Sequence, residues 1–510
     1  MTQSMKAAAP AVGETFEHIP DETSRRMLLT LGGAAALALF SSKADAQAQI
    51  EAVNPPGHEV EVTWNNPLNR LVRRLTYSID PYEQAQAANL GFKGYLEKQL
   101  NYGLIDDQEA DHVVLGRWPK MYWNEAHLYD DNDQYDQYLQ LQFSTYFRAV
   151  FSRKMLFERM VEFWTDHFNV QVDKVGTPLM TSFIQKNIRR NALGKFPDLL
   201  KSTAHSAAML DYLDNDDNSA DAPNINYSRE LHELHTVGAD GGYTGKDLRQ
   251  AALVLSGWTW SWNGNSPNRG RFRFEEDDHA GGTKTVMGQT YTEDGVNEGE
   301  KLLDYLSLHP NTARFITLKL IKWFLGEPVN NTVWTAAQNT FLSSKGDIKA
   351  VLRVILTQPN LMASNAKYKR PQHLLWSAFK GCKSRTYQYD SILYSLLNEA
   401  GHIPFDWATP DGYPDRFEYW GPSQLARLNF AFRVAGDDIN GVVTDVNTRF
   451  GNDRTPQGCL NTIAKTLFGG EMSATDRSAL LAYLTAATID DERLKGAIAL
   501  ALACPSFQWY

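Results

Sequence analysis

Apolar residues recur at helical spacing along most of this 510-residue chain. Leu68, Leu71, Val72 and Leu75 mark one stripe, and Phe92, Tyr95, Leu96 and Leu100 another. An i, i+3, i+4 pattern of this kind gives a helix one buried face. Longer helices are predicted at about 135–152, 154–169, 177–193, 196–213, 227–237 and 245–258. The last of these has a defined start: Thr244 as cap, Asp247 three residues on, and Tyr243 placed to staple onto Leu248. The pattern predicts further helices at about 298–308, 312–325, 331–343, 347–358, 371–382, 389–400, 422–435, 457–467, 475–487 and 490–503.

Between Trp258 and Glu298 the texture changes. Arg271-Phe272-Arg273-Phe274 alternates, Thr283 to Met287 is β-prone, and Asp277-Asp278-His279-Ala280-Gly281-Gly282 separates them, which predicts a hairpin excursion. No fixed-period repeat is present, so a solenoid is not expected. The fold class expected is therefore mainly α: one large multi-helix body over 67–510 with a small β-hairpin insertion near 269–290. Gln47 to Asn66, with Asn54-Pro55-Pro56-Gly57, reads as a linker or arm. Asp214 to Ser219 alternates Asp and Asn like the start of a calcium loop, but it lacks the glycine and distal glutamate and reads as a solvated turn.

Ahead of this body lies Ser24-Arg25-Arg26-Met27-Leu28-Leu29, followed by an apolar run to Phe40 and the small-x-small site Ala44-Asp45-Ala46. Two arginines, a modest apolar segment and a cleavage site in that order predict a twin-arginine export signal over 1–46, cut after Ala46. The run is too short and too rich in Gly and Ala for a span of roughly 20 residues, and no membrane span is expected after cleavage. The expected location is periplasmic or secreted. A net charge of -10 without long single-sign runs argues against nucleic acid as a partner. Cys382, Cys459 and Cys504 lie far apart and predict neither a zinc knuckle nor a disulfide framework. Aromatic residues make up 12% of the chain, enough to line a sugar site as well as a core.

The densest polar stretch runs from Asn224 to Thr236 and sets Arg229, Glu230, His232, Glu233 and His235 on one short helix. At about 100° per residue, Leu231 and Leu234 mark its packed side, with Glu230 and Glu233 along an adjacent edge. His232-Glu233-Leu234-His235 falls one residue short of the zinc-protease spacing, and neither glutamate has a histidine three residues on, as a di-iron helix requires. A second candidate is His167, one turn after Phe163, with Glu162 and Asp166 forming an ordinary polar edge. His279 with Lys284 flanks the Gly281-Gly282 turn, and Trp407 to Asp415 forms a rigid aromatic loop containing Tyr413.

Tyr227 to Thr244, followed by Leu255-Ser256-Gly257-Trp258, resembles the signature of a large bacterial family known only as domain of unknown function 1800. Phe163-Trp164-x-x-His167-Phe168, the His279 to Gly288 hairpin, His309-Pro310-x-Thr312-Ala313 and Asp411-Gly412-Tyr413-Pro414 look like further family blocks in the same order. The resemblance implies export, often by the twin-arginine route, and a sulfatase-like exported partner encoded nearby; it lends no activity. Ala280 after His279 departs from the usual His-Asp pair of that hairpin.

These readings converge on an exported hydrolase or lyase acting on an envelope or environmental polymer such as a polysaccharide. In it Glu230 or Glu233 works as acid or base, Arg229 orients substrate and His235 moves protons. Asn226, Trp164, Trp258, Lys284 and Tyr413 are the expected substrate contacts, with Trp260 as additional stacking surface. A divalent metal is a candidate cofactor, with His167, His235 and His279 as its ligands. The competing expectation is a non-catalytic envelope protein that binds a polymer or partner, with the same polar groups fixing helix packing.

Overall fold

The structure is a computed structural model, and it describes residues 64–510 apart from 265, 384, 387–396, 440 and 441. The expected signal over 1–46, nearly all of the arm and most of the helix expected at 389–400 lie outside the described residues. What is described is mainly helical, with three two-stranded antiparallel pairs. Among the described residues no helix is long and apolar enough to cross a membrane.

Four helices carry the site: α1 (Met155–His167), α2 (Asn226–Glu230), α3 (Pro310–Leu325) and α4 (Pro371–Cys382). α1 is helical because Leu156, Met160, Phe163 and Trp164 supply a buried stripe, leaving Glu162 and Asp166 half-buried one turn apart. Helix α3 opens with Pro310 in its first turn, and the His309 Nδ1 accepts from the Asn311 N–H at 3.1 Å. Helix α4 starts at Pro371, which holds Arg370 extended and outside the helix.

Four expected helices differ from their prediction. The stretch 196–213 forms Phe196–Ala204 and Ala207–Tyr212, broken where His205 turns to stack on Trp258 and pair with Glu300. Helix α2 passes into a π-turn over Leu231–His235, and a second π-turn spans Phe183–Ile188. The 245–258 helix closes at Val254, and its Thr244–Asp247 capping box is formed.

The β region differs in pairing. Strand β1 (Trp258–Trp260) pairs with β2 (Phe272–Phe274), and β3 (Thr283–Val286) pairs with β4 (Gln289–Thr292). Thus the two expected hairpin arms belong to different ribbons. The turn that decides this is Met287-Gly288, both at positive φ, the two-residue geometry that matches strand twist. β5 (Arg385–Thr386) and β6 (Val442–Val443) pair elsewhere.

Buried apolar side chains form two large clusters. One runs from Leu71 through α1 and α3 to Phe405; the other gathers α4 and the C-terminal helices. A third, small cluster joins Tyr368, Tyr413 and Trp420, flanked by Trp407, Phe417 and Trp509. Where this aromatic cluster meets α1 and α3, an open cleft is left.

Candidate functional site

The cleft has a volume of about 670 Å³ and is lined by residues from five segments: α1, α3, the stretch before α4, the Asp411–Glu418 loop and Trp509. Its aromatic side comprises Tyr368, Tyr413, Phe417 and Trp509. Phe417 and Trp509 stack at 5.6 Å, and both keep part of their surface exposed. Rigid rings of this kind offer a face to an amphipathic ligand at little entropic cost.

The charged side is built around Arg370. Its Nη1 donates to Asp166 Oδ2 at 2.5 Å, its Nη2 to the Tyr413 carbonyl at 3.0 Å, and its Nε lies 3.5 Å from Asp415 Oδ1. Lys367 Nζ donates to Asp415 Oδ2 at 2.5 Å and to the Lys322 and Trp323 carbonyls that end α3. Burial pushes Asp415 up, but Lys367 and Arg370 outweigh it and hold the carboxyl down at about 2. Asp166 differs although it shares Arg370. Burial, reinforced by the nearby Glu162 charge, pushes it up to about 6.

Lys319 stands on α3 at the same cleft. Its Nζ donates to His167 Nδ1 at 2.9 Å, and the His167 Nε2–H donates to the His235 carbonyl at 3.1 Å. These two bonds fix the imidazole as its neutral Nε2–H form. Burial and the Lys319 charge hold His167 well below its ordinary range. Burial also brings Lys319 down to about 8, against the pull of Asp166 and Asp411. The cleft therefore holds an acid and a base both drawn toward neutrality.

The loop opposite α1 is locked at Asp411, which accepts from Trp407 Nε1 at 3.0 Å and from Thr409. Asn169 Nδ2 donates to the Trp407 and Thr409 carbonyls at 2.9 and 2.8 Å. Gly412 has φ 76°, and a Cβ there would lie 2.1 Å from the Asp166 carbonyl oxygen. Only glycine allows the loop to close this tightly on α1.

Of the residues expected from sequence, His167 and Tyr413 line the cleft. Glu230 and Glu233 are half-buried and Arg229 is exposed, none of them in the cleft lining. Burial and the Glu233 charge raise Glu230. Asn226 Nδ2 donates to Asp214 Oδ2 at 3.0 Å. His235 is buried with its ring centroid 6.2 Å from that of His167 and 5.1 Å from Phe168. Its Nε2 has no partner among the described residues, and burial brings it down to about 3. Its contribution to the cleft is the backbone carbonyl under His167.

Trp164 and Trp258 offer no stacking face, since both are fully buried, Trp164 donating to the Ala192 carbonyl at 2.9 Å. Trp260, half-buried, stacks with Tyr129 at 6.4 Å outside the cleft. Lys284 is buried and donates to Glu298 Oε2 at 2.7 Å, with His279 Nε2 at 3.4 Å. This trio pins β3 to the helix Val296–Ser307.

The three expected metal histidines do not share a site. Both ring nitrogens of His167 are engaged, and His279 is held by the Ser256 carbonyl and Lys284. Among the described residues no three His, Cys, Asp or Glu side chains gather as a metal site.

Asp166, Lys319, Arg370, Lys367 and Asp415 were not among the expected site residues. Asp166 had a visible signal: it lies inside the Phe163–Phe168 block, read as a polar edge. That block and the Asp411–Pro414 block, far apart in sequence, meet at this cleft. Lys319 and Arg370 carry no local pattern that separates them from surface cations. A family model described as a protein of unknown function (DUF1800) matches residues 70–509. No curated protein and no solved structure matches the chain.

Proposed function

This chain belongs to the DUF1800 family, and from the cleft it builds we propose an exported enzyme that cleaves a polymer by general acid–base catalysis, with Asp166 as base and Lys319 as acid. The observation that supports this most directly is that these two groups line one 670 Å³ cleft beside the half-buried rings of Phe417 and Trp509. At neutral pH a carboxyl near 6 is ionised and an amine near 8 is protonated, so each is poised for its role. Arg370 orients the base through Asp166 Oδ2, and His167 orients the acid. Phe417 and Trp509, backed by the buried Tyr413, supply stacking surface for a sugar-like substrate. Export by the twin-arginine route, from a bacterial cytoplasm to the periplasm or beyond, rests on Arg25-Arg26, the apolar run and the Ala44–Ala46 site.

The test is a panel of peptidoglycan, chitin, cellulose, pectate and alginate incubated with protein purified after native export. At least one polymer should be cut, with kcat/KM bell-shaped in pH and limbs near 6 and 8. Asp166→Asn and Lys319→Met should each lower it by roughly 10²- to 10⁴-fold. A Lys319 amine that titrates above 10 in an isotope-edited NMR experiment would overturn the assignment whatever the substrate.

A further inference from the structure

Asp166 belongs to two cavities at once. A second cavity, a chamber of about 50 Å³, shares Asp166 and Tyr413 with the cleft and adds Thr145, Glu162, Thr165 and Asn169 among mostly apolar neighbours. That exceeds the roughly 10–15 Å³ a cavity needs to hold a water. Glu162, one helical turn before Asp166, is anchored there. Its Oε2 accepts from the Tyr77 hydroxyl at 2.9 Å and its Oε1 from His373 Nε2 at 2.7 Å. Asp166 presents a different pattern: Oδ2 is taken by Arg370, while Oδ1 has no hydrogen-bond donor among the described residues.

We infer that this second chamber is a water site that delivers the nucleophile to Asp166 Oδ1, which makes the reaction in the cleft hydrolysis and not elimination. The inference rests on the acid–base reading above and sharpens it.

The placement supports that direction of supply. A polymer stacked on Phe417 and Trp509 fills the cleft from the solvent side and displaces bulk water there. Apart from Asp166 and Tyr413 the two cavities share no lining residue, so a ligand confined to the cleft does not displace water held in the chamber. Ionised Asp166 takes a proton from one of them as the water oxygen bonds to the electrophilic carbon of the scissile linkage. The bond from that carbon to the leaving oxygen or nitrogen breaks, and the Lys319 ammonium protonates the leaving atom. One water is consumed, one new chain end gains hydroxyl and the other gains hydrogen. The proton on Asp166 returns through solvent to the Lys319 amine. Glu162 is here a positioning residue: it holds the polar end of the chamber and touches no substrate.

Two measurements test this. A high-resolution crystal structure of the wild-type chain should show ordered waters in the chamber, one of them about 2.6–3.2 Å from Asp166 Oδ1. In Thr145→Leu, which puts a larger apolar side chain at the lining, that water should disappear with the fold unchanged. A chamber without ordered water at Asp166 in the wild type overturns the proposal and leaves the acid–base reading intact. In the second measurement the same polymer panel is run in ¹⁸O water. Heavy oxygen in the new chain end is the expected result. Unsaturated ends without ¹⁸O refute hydrolysis while preserving acid–base cleavage. Cleavage of nothing on the panel counts against the acid–base reading itself, and the crystallographic water then decides the chamber alone.

Discussion

At the scale of single residues, identity was a poor guide to role. Histidine's ordinary range lies nearest neutral pH, yet burial moves His167 and His235 away from it. His235 is the clearest case. It sits among aromatic rings, its Nε2 without a partner among the described residues, and its protonation is suppressed to about 3. In the unfolded chain the same ring titrates near 6.5. Its depressed value therefore contributes stability at and above about pH 6.5 that is lost as pH falls, by about 1.4 kcal/mol per unit. His235→Phe keeps the backbone carbonyl that orients His167 and removes the titration. Its stability at pH 7 should stay within about 1.5 kcal/mol of the wild type. Between pH 7 and 5 it should lose about 2 kcal/mol less than the wild type does, measured by urea denaturation. Parallel losses in the two proteins would mean that His235 is already charged or solvated in the folded state. Asp166 is the converse. An aspartate beside a buried aromatic run reads as a polar edge, and only the partners brought by α3 and the 411–418 loop show that it faces a cavity.

Elements were more legible than residues, because a helix needs only its own stripe of apolar positions. Most predicted helices form within two or three residues of their expected ends. The failures have local causes that hydrophobic spacing does not encode. In α2 the π-turn over Leu231–His235 inserts an extra residue into one turn, so faces drawn at 100° per residue no longer hold beyond Glu230. The site predicted on that helix assumed a regular register. In the β region the alternating residues were recognised but not their partners, since pairing was decided by the Met287-Gly288 turn. The Trp407–Asp415 loop reads from sequence as rigid and aromatic, and in the structure it closes on α1 at Gly412. Gly412→Ala must put a side chain into a left-handed backbone and a Cβ against the Asp166 carbonyl. The substitution should cost about 2 kcal/mol or more in stability. It should also move Asp411 and Tyr413 away from α1, raising KM for any polymer cut. A variant crystal structure with the loop unmoved and unchanged stability would contradict the close approach.

At the scale of the whole molecule, what the sequence could not reveal is which distant segments meet. The Phe163–Phe168 and Asp411–Pro414 blocks were both visible as patterns, but nothing local says that some 240 residues of intervening chain return one onto the other. Arg370 is the physical joint between them: it stands before α4, bonds Asp166 on α1 and faces Asp415 on the loop. Removing it leaves two carboxylates without their shared cation, and the cost depends on pH. In the wild type Asp415 is held at about 2, below its unfolded value near 3.9, so its pairing stabilises the fold above about pH 4 and is lost on acidification from 4 to 2. Asp166 runs the other way: its raised value means that ionisation opposes folding as pH climbs through about 6. Arg370→Met lifts both carboxyls, Asp166 further above its ordinary value and Asp415 back toward it. Breaking a buried pair by deleting one partner costs about 3–5 kcal/mol. The lower end applies here, because Asp166 and Asp415 keep 18% and 20% of their side-chain surface exposed. The variant should therefore be about 3 kcal/mol less stable well above pH 6, once both carboxylates are charged in the variant as well. That deficit should shrink toward pH 4 as Asp166 takes up its proton, without returning to zero while Asp415 remains ionised. A deficit independent of pH would show that Arg370 acts through packing on Trp323 alone, and that the cleft is not held together by charge.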